Sequence, residues 1–168
     1  MIKVRQLKVF GKKKSGNKRK NTINGIFGEM ENRGVGWYGT TQIQITLWNK
    51  IFDIELFAVS NSTADEITPK QERAYTYFME NIFDIQNKIE TIIENDCKTK
   101  DTNVLLSRFE PFRLFFNVNG GFALLLYDAD DVEEGYHEDL AVSILPKLEI
   151  WSEEDYVCHG ICEAYVDD

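Results

Sequence analysis

The sequence predicts an α+β fold: a mainly antiparallel sheet with one long helix packed on it and a short C-terminal helix. Two observations support this prediction. Alternating apolar and polar residues, typical of strands, occur on both sides of residues 68–96, and within that stretch apolar residues recur at helical spacing. Because strands are followed by one helix and then by strands again, the helix is expected to cover one face of the sheet.

The size and composition indicate one globular domain over residues 1–168. Apolar residues make up 43% of the chain and aromatic residues 12%, which is typical of a protein with a substantial core. No run approaches the roughly eighteen apolar residues of a membrane span, and no signal peptide is recognisable. The chain has three cysteines, too few and odd in number for a secreted disulfide framework. We therefore expect a cytoplasmic protein.

The first third of the chain is predicted to form strands. Residues 2–10 and residues 23–30 are expected to be a strand and its returning partner, joined by a flexible basic loop at about 11–22. Residues 41–48 and 51–59 then alternate cleanly and are separated by Asn49 and Lys50, which predicts a β-hairpin.

The long helix is predicted from its start signal and its apolar stripe. Thr68 is a typical N-cap residue, Pro69 suits the first helical position, and Gln71 is placed to complete a capping box. The stripe that follows has spacings of three and four residues, as one face of a helix of about seven turns requires. Its members are Tyr75, Phe78, Ile82, Ile85, Ile89 and Ile92.

The second half is predicted to return to strands. Residues 112–118 and 122–128 flank an Asn-Gly-Gly loop, which indicates a hairpin, and the second of these runs is apolar on both faces, as in a central strand. Residues 139–145 and 148–151 continue as strands. A short terminal helix is expected to begin at Ser152, whose hydroxyl and following acids are typical of an N-terminus.

Charge is distributed very unevenly along the chain. Residues 1–20 hold nine Lys or Arg and no acid, whereas residues 128–168 hold fourteen acids and one basic residue. The basic run is interpreted as a solubilising loop, or as a contact with the chain's own acidic part or with a partner. Because the rest of the chain would repel phosphate, nucleic acid is disfavoured as a ligand.

The acidic segment 128–139, DADDVEEGYHED, contains seven carboxylic acids and is predicted to be an exposed turn between two core strands. This composition raises three alternatives for its function. Asp128 and Asp130 match the alternation of calcium ligands, but Val132 stands at the third ligand position and no Glu closes the loop, so the EF-hand signature is absent. An irregular calcium or small-ligand site stays open as the alternative. Catalysis by paired carboxylates ranks lower, and a surface for a basic partner ranks first.

The C-terminal Cys158-His159-Gly160-Ile161-Cys162 raises the question of a zinc site. Four ligands would be needed, so Cys97 or His137 would have to complete it. The other interpretation is that the cysteines are small buried apolar residues of an amphipathic helix. A phosphate-binding loop and a dinucleotide fingerprint are both lacking. The chain is therefore predicted to be non-enzymatic and to need no cofactor.

Several stretches together resemble a family of small bacterial domains that occur beside toxin genes and are thought to act as immunity proteins. The resemblance covers roughly residues 25–157. It rests on Gly28-Glu29, Gly36-Trp37-Tyr38-Gly39, Ile54-Glu55-Leu56, Ile67-Thr68-Pro69 with Gln71, Ala74, Tyr75, Phe78 and Asn81, then Gly121, Asp128-Ala129-Asp130-Asp131, Glu134-Gly135 and Leu140-Ala141-Val142. It implies a protein that binds and neutralises a toxin, and it implies no catalytic residues.

Resemblance and charge together favour a protein-binding domain whose acidic surface meets a basic protein such as a cationic bacterial toxin. No membrane contact is expected, and the sequence does not determine the oligomeric state. The predicted contact residues are Asp130, Asp131, Glu133, Glu134, Tyr136 and Glu138.

Overall fold

The computed structural model describes residues 22–60, 66–130, 132–133, 136–137 and 139–164. The predicted strand 2–10 and nearly all of the predicted basic loop at about 11–22 lie outside these ranges. The elements in chain order are β1 (Thr22–Gly25), β2 (Gly28–Asn32), β3 (Gly36–Gly39), β4 (Ile43–Leu47), β5 (Lys50–Val59), α1 (Pro69–Glu80), α2 (Ile82–Cys97), α3 (Thr102–Arg108), β6 (Phe109–Phe116), β7 (Phe122–Asp128), β8 (Val132–Glu133), β9 (Tyr136–His137), β10 (Leu140–Leu145), β11 (Glu149–Ser152) and α4 (Glu153–Ala164). No helix in the described ranges is long and apolar enough to cross a membrane.

Nine of the described strands form one sheet, which confirms the α+β class and the mainly antiparallel pairing. The strand order is β1-β2-β3-β5-β6-β7-β10-β11, with β4 also paired to β5. Strands β5 and β6 pair in parallel, from Glu55 opposite Arg113 to Ala58 opposite Phe116. The three helices between them return the chain to the starting end of the sheet, as a parallel pair requires. The short β8–β9 ribbon pairs separately.

Two predicted β segments differ in detail from the structure. Residues 23–30 are not one strand but most of the hairpin β1–β2, in which Gly25 pairs with Gly28. The β4–β5 hairpin is confirmed, but its turn lies one residue earlier than predicted, because Leu47 pairs with Lys50. The turn residues Trp48 and Asn49 both have positive φ, 50° and 62°. A two-residue turn with such angles matches the right-handed twist of the two strands that it joins.

The helical stretch lies where the sequence predicted it, but it is divided. Helices α1 and α2 meet at Asn81, whose φ and ψ of −119° and 19° depart from helical values. Asn81 is hydrogen-bonded to both helices, since its N–H donates to the Tyr77 carbonyl at 3.1 Å and its carbonyl accepts the Ile85 N–H at 2.9 Å. Helix α3 was not predicted, because seven residues are too few to show a periodic pattern.

The sheet is covered on both faces, whereas the sequence predicted a helix on one. The larger core contains the inward side chains of α1, α2 and α3, including Phe78, Ile85 and Ile89 from the predicted stripe. The smaller core lies on the other face, where Tyr156 of α4 packs near Phe115. Helix α4 can approach β6 so closely because residue 160 is Gly; a Cβ there would collide with the Asn117 side chain.

One buried side chain joins the start of α1 to the ends of the parallel strands. Gln71 is fully buried and its amide donates to the carbonyls of Val59 at 2.8 Å and Phe116 at 3.2 Å. The side-chain oxygen of Gln71 accepts the Thr68 backbone N–H at 2.9 Å, and the backbone N–H of Gln71 donates to the Thr68 hydroxyl at 3.2 Å. The predicted capping box is therefore present, and it also satisfies two strand carbonyls.

We expect Gln71→Ala to lower the free energy of unfolding by about 2–4 kcal/mol, because it leaves buried backbone groups without partners. Urea unfolding followed by circular dichroism measures this loss. Lys70→Ala, at an exposed position of the same helical turn, is the matched control and should cost less than about 0.5 kcal/mol. Equal stability of Gln71→Ala and the control would contradict the role assigned to Gln71.

Candidate functional site

The acidic segment begins with an ion pair between a buried aspartate and a partly buried arginine. Asp128, the last residue of β7, is 4% exposed at its side chain. Arg108, the last residue of α3, donates to both of its carboxylate oxygens, with Nε to Oδ1 and Nη2 to Oδ2 each at 2.7 Å. This two-point geometry adds both energy and directional specificity to the attraction between an arginine and a carboxylate. Asp128 is thus an anchor of the fold. The sequence had predicted, wrongly, that it is part of an exposed turn.

The pairing of β6 with β7 brings Arg108 to this position. Phe109, the first residue of β6, is paired with Asp128, and the Ala129 N–H donates to the Arg108 carbonyl at 2.9 Å. The end of α3 and the end of β7 are therefore neighbours. The hydrogen bonding that Arg108 donates to Asp128 raises the pKa of Arg108 above its ordinary value. Burial opposes this increase, and the negative charges of Asp128 and Asp130 add to it.

The end of the acidic segment is held at the same place. The Asp139 carboxylate accepts the Asp128 N–H at 3.2 Å, and the Asp139 carbonyl accepts the Glu153 N–H at 2.7 Å. Between these ends, Val132 pairs with His137 and Glu133 with Tyr136 in the β8–β9 ribbon. Both ends of the segment are thus fixed to the sheet and to the start of α4.

The structure describes the predicted contact residues in part. The Asp130 side chain is 69% exposed, with its carboxylate 3.7 Å from Arg108 Nε. Glu133 and Tyr136 are opposite each other in the backbone ladder. Asp131, Glu134 and Glu138 lie outside the described residues. The sequence missed Arg108, whose nearness to the segment depends on strand register and leaves no local pattern.

A cavity of about 440 Å³ opens beside this anchor, at the end of the sheet where β6 starts and β7 ends. Tyr127 forms part of its wall, and the Tyr127 side chain is 50% exposed. Its ring stacks on Phe112 with 4.2 Å between centroids and 20° between planes. The described residues that line the cavity are Leu106, Ser107, Arg108, Phe109, Glu110, Tyr127, Asp128, Ala129 and Asp139.

The start of α4 adds a carboxylate close to Asp139. Burial raises the pKa of Glu153 above its ordinary value, and the charge of Asp139 raises it further, while Arg113 acts in the opposite direction. Two carboxylates therefore repel one another at the point where the acidic segment rejoins the fold.

The arginines on the same face of the sheet already have acidic partners. Arg113 binds Glu55, with Nη2 to Oε2 at 2.6 Å, and its guanidinium lies 5.5 Å from the Tyr38 ring centroid. Arg33 donates from Nε to a Glu31 oxygen at 3.2 Å. These internal pairs offset the positive charge of the face, so its acids determine what it attracts.

The cysteines do not support a zinc centre built with Cys97. Cys158 and Cys162 are exposed on α4, so the interpretation as buried apolar residues is wrong. Cys97 packs against the core on the opposite face of the sheet, and His159 stacks on Trp151. The side chain of His137 is not described. Within the described residues, no three His, Cys, Asp or Glu side chains are grouped to hold a metal ion.

We expect Arg108→Met to lower the free energy of unfolding by about 2–3 kcal/mol, because it leaves the buried Asp128 carboxylate without its cation. The partly exposed guanidinium places this estimate below the range for fully buried pairs. Urea unfolding at pH 7 measures the change. Arg73→Met, at an exposed position of α1, should shift the stability by less than about 0.5 kcal/mol; a similar small effect of both substitutions would show that the pair is not an anchor.

We expect Glu153→Gln to stabilise the protein at neutral pH. A carboxyl whose folded pKa lies above its unfolded value costs stability once it ionises, so the wild type should lose stability as pH rises from about 4.3 through the raised pKa. The variant lacks this loss, and the two proteins should converge in acid. Urea unfolding as a function of pH measures the difference, with exposed Glu29→Gln as the control. A gain for Glu153→Gln that is independent of pH would contradict this account.

A scan against protein-family models, a search of curated proteins and a search of solved structures each found no match to this chain.

Proposed function

We propose that this chain is a cytoplasmic, non-enzymatic domain that binds a basic protein through the acidic segment 128–139, and that its partner is a cationic bacterial toxin that it neutralises. The observation that carries the proposal is the anchoring of this segment at both ends. Asp128 is bound by Arg108, and Asp139 is bound to the backbone of Asp128 and of Glu153. These contacts fix the two ends of the segment at one end of the sheet.

The charge of the remaining chain supports a basic partner. Nine of the 19 Lys and Arg residues precede residue 21, while all 28 acids follow it. A concentrated acidic surface accelerates the encounter with a cationic protein and disfavours anionic ones such as nucleic acid. The steering effect is strongest when the charges are held together, because their fields then add over the same region of solvent.

The calcium alternative is weakened by the same ion pair. Calcium requires six to eight oxygen ligands, and Asp128 is the first acid of the matching alternation. Both of its carboxylate oxygens accept hydrogen bonds from Arg108. Coordination by Asp128 would therefore require the loss of the buried pair, which is costly.

The partner can be sought by a pull-down from the source cell at graded salt concentrations, with bound proteins identified by mass spectrometry. We expect one basic protein to be retained at low salt and released as salt rises, because surface electrostatic attraction is screened. Retention of neutral or acidic proteins alone would contradict the proposal.

Removing four acids should then slow association with the captured protein. We expect Asp131→Asn, Glu133→Gln, Glu134→Gln and Glu138→Gln together to lower the association rate about tenfold or more at low salt, with a smaller effect at high salt. Surface plasmon resonance gives the rates.

A matched variant separates local from overall charge. It removes the same number of acids at exposed positions outside the segment, by Glu29→Gln, Glu66→Gln, Glu72→Gln and Glu80→Gln. This control should change the rate far less. Equal slowing by both variants would mean that net charge alone attracts the partner, and the segment would have no specific role.

A further inference from the structure

We infer that the 440 Å³ cavity between α3, β6 and β7 binds a positively charged organic group, a guanidinium or an alkylammonium. In the simplest case this group is an Arg or Lys side chain of the basic partner, so the assignment of its source rests on the proposed function. The volume falls within the range of about 300–1,000 Å³ typical of small-ligand sites.

The charges of the wall favour a cation. Arg108 lines the cavity, but its guanidinium is bound at two points by Asp128, and these two charges offset one another. Glu110 and Asp139 line the same cavity and add negative charge. Arg108 is the only cation among the described lining residues and is already paired, so an anion would lack a partner. A neutral apolar ligand would remove water from the carboxylates and offer them no compensating interaction.

An aromatic ring lies next to one of these acids. Glu110 and Tyr127 are opposite each other in the β6–β7 ladder, where side chains on the same face lie close together. The Tyr127 ring is half exposed, and its stacking on Phe112 at 4.2 Å holds its plane. A cation over such a ring gains about 0.5–1 kcal/mol or more, in addition to its attraction to a carboxylate.

The apolar part of the wall suits the stem of the same group. Leu106 and Ala129 line the cavity together with the polar residues. Long basic side chains bury their methylene stems against apolar surface and present the charged head to polar groups. Carboxylate, aromatic face and aliphatic wall thus each match one part of an arginine or lysine side chain.

The probe for a test is the peptide acetyl-Gly-Arg-Gly-amide, titrated into the full chain and followed by nuclear magnetic resonance of the Tyr127 ring. We expect saturable binding with a Kd of about 1–10 mM, as for a single charged group. The same peptide with citrulline in place of arginine has nearly the same shape and no charge, and it should not saturate. Equal binding of both peptides, or no saturation by either, would overturn the inference.

Variants of the wall locate the site. Glu110→Gln and Tyr127→Leu should each raise the Kd for the arginine peptide about fivefold. Glu72→Gln and Phe83→Leu are the matched controls, since both residues are exposed on α1 and α2 and neither lines the cavity, and they should leave the Kd unchanged. Unchanged binding in the Glu110 and Tyr127 variants, with circular dichroism showing that they fold, would place the peptide elsewhere and overturn the assignment.

Agmatine distinguishes the two sources of the cation. Weaker binding of agmatine than of the peptide supports a partner's side chain as the ligand, and tighter binding supports a free diamine-like ligand in the same cavity. The peptide titration does not depend on a captured partner. A cavity that binds the peptide while the pull-down retains no basic protein would therefore refute the proposed function alone, and the reverse result would refute only this inference.

Discussion

The hydrogen bonds of Gln71 are the interaction on which the arrangement of this protein depends. The parallel pairing of β5 and β6 requires the chain to return over the sheet through helices, and Gln71 fixes the first of these helices to the carbonyls of Val59 and Phe116. The same connection ends with α3, whose last residue, Arg108, leads directly into β6. The anchor of the acidic segment is thus a consequence of how the helices cross the sheet.

Much of the fold could be predicted because alternation reports which side of a strand is buried. The β4–β5 and β6–β7 hairpins and the start of α1 at Thr68 follow from local signals of this kind. Alternation does not indicate which strands pair with one another, however, so the parallel pairing of β5 with β6 was not predicted. The same limit applies to α4, whose docking on the second face depends on the fit of Gly160 against Asn117.

The candidate site shows the same limit at finer scale. The concentration of acids in 128–139 is visible in the sequence, but the burial of Asp128 depends on a register shift in β6. Phe116 pairs with Phe122, and an unbroken ladder from there would set Glu110 opposite Asp128, two like charges. The irregularity between Pro111 and Arg113 instead sets Phe109 opposite Asp128 and Glu110 opposite Tyr127. One extra residue at Phe112 therefore produces both the anchor and the acid–aromatic wall of the cavity.

The repulsion within the site links its stability to its proposed use. The pKa of Glu153 is raised by burial and further by the charge of Asp139, so the folded chain carries an electrostatic cost where the acidic segment rejoins the sheet. A cation bound in the neighbouring cavity would favour the ionised carboxylates and lower that pKa. By linkage, binding would release protons, and acidification would weaken it. The neighbouring carboxylates that lower the folding stability of the free protein thereby contribute to its affinity for a basic group.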